Sequence, residues 1–144
     1  MKSRRENSQK GTAIVEGVII LLLLMIFLFG LMEAGHLFQV QNTLTDAARE
    51  GARFAVAPTT QTNNLPSDTE IRTKAKIFLG AAGIVVPDAS IIITRPVTIT
   101  VNGVATEFTR VRIQASYKAV GLALFRLNNL PLKGEALMRN ETSP

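Results

Sequence analysis

The chain has 144 residues, 47% of them hydrophobic, which suits one small domain plus an apolar anchor rather than two folded domains. Its formal charge of +5 is gathered at one end: Lys2, Arg4, Arg5 and Lys10 against Glu6 leave +3 before residue 11, and with one Tyr and no Trp to stack bases the balance argues against nucleic acid as a partner. Cysteine is absent, which removes disulfides, thiolate metal sites and cysteine nucleophiles.

Residues 1–11 form a basic leader, placed on the cytoplasmic side because positive residues hold the flank of an apolar segment there. From Gly17 to Met32 no charged residue occurs, and Thr12 to Val15 extend the apolar run backwards across Glu16. Thr12 to Met32 is about the 20 residues that carry a helix across a bilayer core, so residues 12–35 are read as a transmembrane helix in contact with membrane lipid, with the C-terminal part exported. A cleaved secretory signal starts in the same way, but its apolar core is shorter, and Glu33-Ala34-Gly35-His36 makes a poor cleavage site. Glu16 stands out, since an ionised carboxylate is costly within a membrane helix. Two explanations stay open: Glu16 snorkels to the headgroups near Lys10, or it awaits a cation from another molecule.

Residues 36–57 continue the helix, with a bend allowed near Gly30 or Gly35, until Pro58 stops it. Leu37, Val40, Leu44, Ala47, Ala48, Gly51, Ala55 and Val56 recur at steps of three and four, which defines one face to be buried against the exported domain. Ala47, Gly51 and Ala55 make a strip with almost no side chain, open to close approach by another backbone and assigned to helix packing and assembly. Asp46 with Arg49 and Glu50 with Arg53 are i,i+3 pairs on the flank, where a solvated face is the default. His36, the one histidine, reads as an interfacial polar residue rather than a ligand or base.

Residues 58–144 are expected to form the exported domain. Pro58 to Pro66 is a polar loop. Ser67-x-x-Glu70 has capping-box spacing, and Ile71, Ala75, Phe78, Leu79 and Ala82 predict a short amphipathic helix over 68–82 that Gly83 ends. Ser90 to Val101 reads as strand, with Pro96 marking an edge or a break. Asn102-Gly103 is a tight turn, and Thr109, Val111, Ile113, Ala115 and Tyr117 alternate with polar residues along the return strand. A last strand is expected around Gly134 to Asn140, after a loop holding Pro131. The fold class is therefore α+β: a long N-terminal transmembrane helix, a short helix and a three- to four-stranded antiparallel sheet. Arg110, Arg112 and Lys118 give the outer sheet face a basic character, which fits an anionic lipid, a polysaccharide or an acidic subunit, and fits an ordinary solvated face better.

Gly11, Thr12 and Glu16 sit in a G-x-x-x-x-E arrangement behind a basic leader, which resembles the processing site of type IV prepilins. The resemblance implies a cut by a prepilin peptidase between Gly11 and Thr12, with the freed Thr12 amine of one subunit meeting Glu16 of another. Flp-type pilins often carry Tyr after this Glu, where Gly17 stands here. Further along, Asp46-Ala47-Ala48-Arg49-Glu50-Gly51-Ala52-Arg53 is similar to the TadE-like family of the tight-adherence (Tad/Flp) pilus machinery, over roughly residues 11 to 57. That resemblance makes Asp46, Arg49, Glu50 and Arg53 a family motif and implies a minor pilin or pseudopilin. Its partners would be the peptidase, other pilin-like subunits and the assembly platform. Neither a cofactor, a metal nor a small-molecule substrate is expected, and no residue constellation favours an enzyme. The alternative is an unprocessed single-pass anchor that displays a partner-binding or polymer-binding domain.

Overall fold

The computed structural model describes residues 2–57, 65–101, 103–118 and 129–140, with side chains from residue 11 onward except those of Val101 and Val104. Helix α1 runs without a break over Lys2–Val56, beginning ahead of the expected Thr12. Good helix formers, Lys, Arg, Glu and Gln, fill the stretch before Gly11 and give the helix no reason to stop there. Its end is set by Pro58, two residues beyond Val56, which cannot continue the hydrogen-bond ladder.

Helix α2 spans Asp68–Ala81 and is built as its sequence demands. The Ser67 hydroxyl accepts from the Glu70 backbone N–H, and the Glu70 carboxylate accepts from the Ser67 N–H at 2.7 Å, so two otherwise unpaired donors are satisfied at once. At the other end Gly83 takes φ +74°, and the Ile84 N–H reaches back to the Leu79 carbonyl at 2.9 Å. Ile71, Ala75 and Leu79 are buried. Phe78 and Ala82, expected on the same face, are exposed, and the buried stripe keeps to the steps of four at Ile71, Ala75 and Leu79.

A short 3-10 turn at Asp88–Ser90 leads into a three-stranded antiparallel sheet, ordered β1-β2-β3, of β1 (Ile91–Val101), β2 (Val104–Tyr117) and β3 (Leu130–Arg139). Val101 pairs with Val104 across the two-residue turn, where Gly103 supplies φ +82°; Asn102 lies outside the described residues. Pro96 proves to be both things its sequence allowed, since β1 is an edge strand and its register shifts between Thr94 and Val97. The last strand starts at Leu130 rather than near Gly134, and Pro131 lies inside it opposite Ser116 instead of in a loop. An edge strand accepts proline because one of its two rims has no ladder to donate to. The polar loop expected at 58–66 falls outside the described residues except for Leu65 and Pro66.

Both helices pack on one face of the sheet. The core joins Leu44, Ala47, Ala48, Ala52 and Ala55 of α1 to Ile71, Ala75 and Leu79 of α2 and to Ile91, Val111, Ile113 and Ala136 of the sheet. Each of its larger aliphatic side chains contributes about 1.5–3 kcal/mol by leaving water. The sheet comes very close to α1 where Gly134 of β3 lies over the backbone of Leu44 and Thr45. At Gly134 a Cβ would press against the Leu44 carbonyl and lie 2.6 Å from the Thr45 nitrogen, while the Gln41 side-chain amide donates to the Lys133 carbonyl at 2.7 Å. Thr109 and Asn140, both buried, close the far end by donating Oγ1–H to Oδ1 at 2.8 Å.

Candidate functional site

Two kinds of surface meet on α1. From Gly11 to Met32 every residue is exposed, and Ile14, Leu22, Phe27 and Met32 each leave more than half of their surface uncovered. A side-chain set this apolar and this uncovered is suited to lipid. One helix in the described residues is long and apolar enough to cross a membrane, and none of its most apolar window is buried inside the protein. Gly11 and Thr12 share one turn of this exposed stretch and Glu16 lies about one turn further on, and nothing lies within 4 Å of where a Cβ on Gly11 or Gly17 would stand.

The second half of α1 divides its residues by period. Ala47, Gly51 and Ala55 turn inward and are buried, so this small-residue strip faces the chain's own core rather than an open surface. A Cβ on Gly51 would meet Val111 Cγ1 at 3.5 Å and Ala75 Cβ at 3.7 Å, which is ordinary packing distance. Asp46, Arg49, Glu50 and Arg53 fall on the outer flank. Arg49 Nη1 donates to Asp46 Oδ1 at 3.3 Å, and Arg53 bonds both Glu50 oxygens at 3.0 Å. The fork from Arg53 holds the Glu50 carboxyl below its ordinary range, helped by Lys74 of α2, and raises the guanidinium in return. Exposed pairs of this kind add only tenths of a kcal/mol, so the four charges leave a hydrated, ordered stripe along α1.

The basic sheet face is partly neutralised from β3. Glu135 lies 3.1 Å from Arg110 Nε and 3.0 Å from Arg112 Nε, and its carboxyl is held low first by the hydrogen bond from Arg112. Sequence pattern did not reach this contact, because it depends on the β2–β3 register that sets Arg112 opposite Glu135.

A further site at the point where α1 leaves its apolar half was not foreseen. The Tyr117 hydroxyl donates to Glu33 Oε1 at 2.8 Å, and the His36 ring stands 5.6 Å from the tyrosine ring at a tilt of 44°. Burial, and after it the neighbouring Glu33 carboxylate, pushes the Tyr117 hydroxyl above its ordinary pKa. Beside it opens a groove of about 970 Å³ between α1, the segment after α2 and the adjoining ends of β2 and β3. The available signal was that Glu33 is the first charge beyond the apolar run and that the chain has one Tyr and one His.

Residues 11–53 match the family model described as TadE-like protein. The match starts at the glycine of the G-x-x-x-x-E arrangement and ends at the last arginine of the charged stripe, and it points to a Tad pilus-associated protein. No curated protein and no solved structure matches the chain.

Proposed function

We propose that this protein is a minor pilin or pseudopilin of a Tad/Flp pilus assembly and secretion system, structural and not catalytic. It inserts with its basic end in the cytoplasm, is processed by a prepilin peptidase after Gly11, and assembles through α1 with other pilin-like subunits. The observation that carries this reading is the coincidence of the matched segment with a helix whose exposed apolar half holds one acidic residue, Glu16. In that setting an ionised carboxylate calls for a cation, and the Thr12 amine released from a neighbouring subunit would supply it. Pairing of Arg110 and Arg112 with Glu135 lowers the appeal of the rival reading, in which the basic sheet face of an unprocessed anchor does the binding.

The test is amino-terminal sequencing of the protein expressed with and without its prepilin peptidase. Under this proposal the chain begins at Thr12 when the peptidase is present and at Met1 when it is not. A chain that keeps Met1 beside a competent peptidase rejects the processing step. The rival reading is then examined by comparing Gly11→Ala with Arg110→Ala/Arg112→Ala in a pull-down of pilus components.

A further inference from the structure

A helix rises about 1.5 Å per residue, so with the apolar run ending at Met32, His36 and Val40 stand about 6 and 12 Å beyond it. The headgroup layer adds roughly 5–7 Å to each side of the hydrocarbon. Tyr117 is tied to this level by its bond to Glu33 and its contact with His36, and an interfacial tyrosine with one apolar side and one polar tip is favoured there. The groove beside it is lined by His36, Val85, Tyr117, Lys118, Leu132 and Lys133. Val85 is 92% exposed, an aliphatic side chain held out at the lip of this groove. Lys118 and Lys133 line the same groove and are exposed, and Lys133 also lies near enough to Glu135 to help hold its carboxyl low. Of the nearby carboxylates, Asp88 accepts from Lys76 at 2.8 Å and Glu135 from Arg112, while Glu33 accepts from Tyr117 and keeps its negative charge at the edge of this face.

The geometry points to a bilayer-contacting foot: Val85, Tyr117, Lys118 and Lys133 rest on the anionic surface of the same membrane that α1 crosses. Val85 enters the interface, Tyr117 lies at headgroup level, and the two lysines meet lipid phosphates. Two features select a lipid surface over a protein partner. The face continues directly from the lipid-exposed half of α1, and an exposed aliphatic side chain that shares a groove with a tyrosine and two lysines suits an anionic interface. The domain is then held against the membrane at a second place besides its helix, and its tilt depends on lipid charge. This inference rests on the reading of α1 as membrane-spanning.

The chain has no cysteine, so single-cysteine variants can be spin-labelled without other changes. Leu22→Cys, Val85→Cys and Thr98→Cys are made in the full chain and reconstituted in nanodiscs of phosphatidylcholine with or without phosphatidylglycerol. Collision with oxygen, which favours lipid, is compared with collision with a nickel chelate, which favours water. Expected is an oxygen-weighted label at Leu22, a nickel-weighted label at Thr98 in both discs, and a label at Val85 that becomes oxygen-weighted in the anionic discs. Lys118→Glu/Lys133→Glu shifts the Val85 value back to that of Thr98. A Val85 label as nickel-accessible as Thr98 in anionic discs overturns the foot, and so does one shielded from both reagents, which would signal a protein occupant. Nickel access at Leu22 would instead remove the membrane-spanning premise.

Discussion

Tyr117 shows how one side chain links the sheet to the helix at the boundary of the apolar segment. Its hydroxyl bonds the Glu33 carboxylate across 84 positions of sequence, which neither residue type nor spacing announces. Tyr117→Phe removes a hydrogen bond to a charged acceptor at a half-buried site and is expected to cost about 1 kcal/mol, read from denaturant titration of the full chain in detergent. The pH dependence has a definite sign. The folded pKa is raised above the ordinary 10.0, so the folded state holds the phenolic proton more tightly than the unfolded chain. That contribution is complete below pH 10 and is lost as pH rises through the folded pKa. The wild-type chain should therefore lose stability in this alkaline window more steeply than Tyr117→Phe; identical alkaline profiles would show that the bond contributes nothing. Glu50, Glu70, Asp88 and Glu135 act in the opposite range, since their lowered pKa values give stability that is present above their ordinary values and lost as pH falls through the folded ones.

Between elements, β3 comes close against α1 at Gly134, and Gly134 and Gly51, which faces α2 and β2, have opposite meanings. Gly134 has the backbone of Leu44 and Thr45 where its Cβ would go. Gly134→Ala therefore forces strand and helix apart, with an expected loss at or above the top of the usual range of about 1–3 kcal/mol for overpacking. Gly51 lies in a helix with ordinary contact distances around its absent Cβ. Gly51→Ala is expected to be neutral or to stabilise by up to about 1 kcal/mol through helix propensity. The two midpoints of unfolding, measured in the same detergent, should move in opposite directions; a large loss at Gly51 would mean that the small-residue strip serves a contact outside the single chain. From sequence Ala47, Gly51 and Ala55 were the obvious close-packing positions, and Gly134 was no more than the start of a strand. The strip was visible because helical periodicity is local. The need for glycine at 134 was not, because it arises only when a distant strand lies across the helix.

At the scale of the molecule, α1 is one element with two employments: an exposed apolar half carrying Glu16, and a half whose alanine face completes the domain core. Glu16→Ala is expected to leave membrane insertion unchanged, because removing a charge favours partitioning, while pilus output falls through loss of the partner for the Thr12 amine. Membrane fractionation and pilus yield measured together check this, and normal yield would remove the pairing. The sequence by itself determined the apolar span, the stop at Pro58, the inward face of α1, the capping box of α2 and the Asn102-Gly103 hairpin. All of these depend on residues within a few turns or a few positions of one another. Only the tertiary structure decided that β3 begins at Leu130 and carries Pro131 within it, that Glu135 sits beside Arg110 and Arg112, and that Tyr117 meets Glu33. Those outcomes depend on strand register and on how the sheet lies on the helix, both set by the packing of Leu44, Val111, Ile113 and Ala136 as a group rather than by any local pattern.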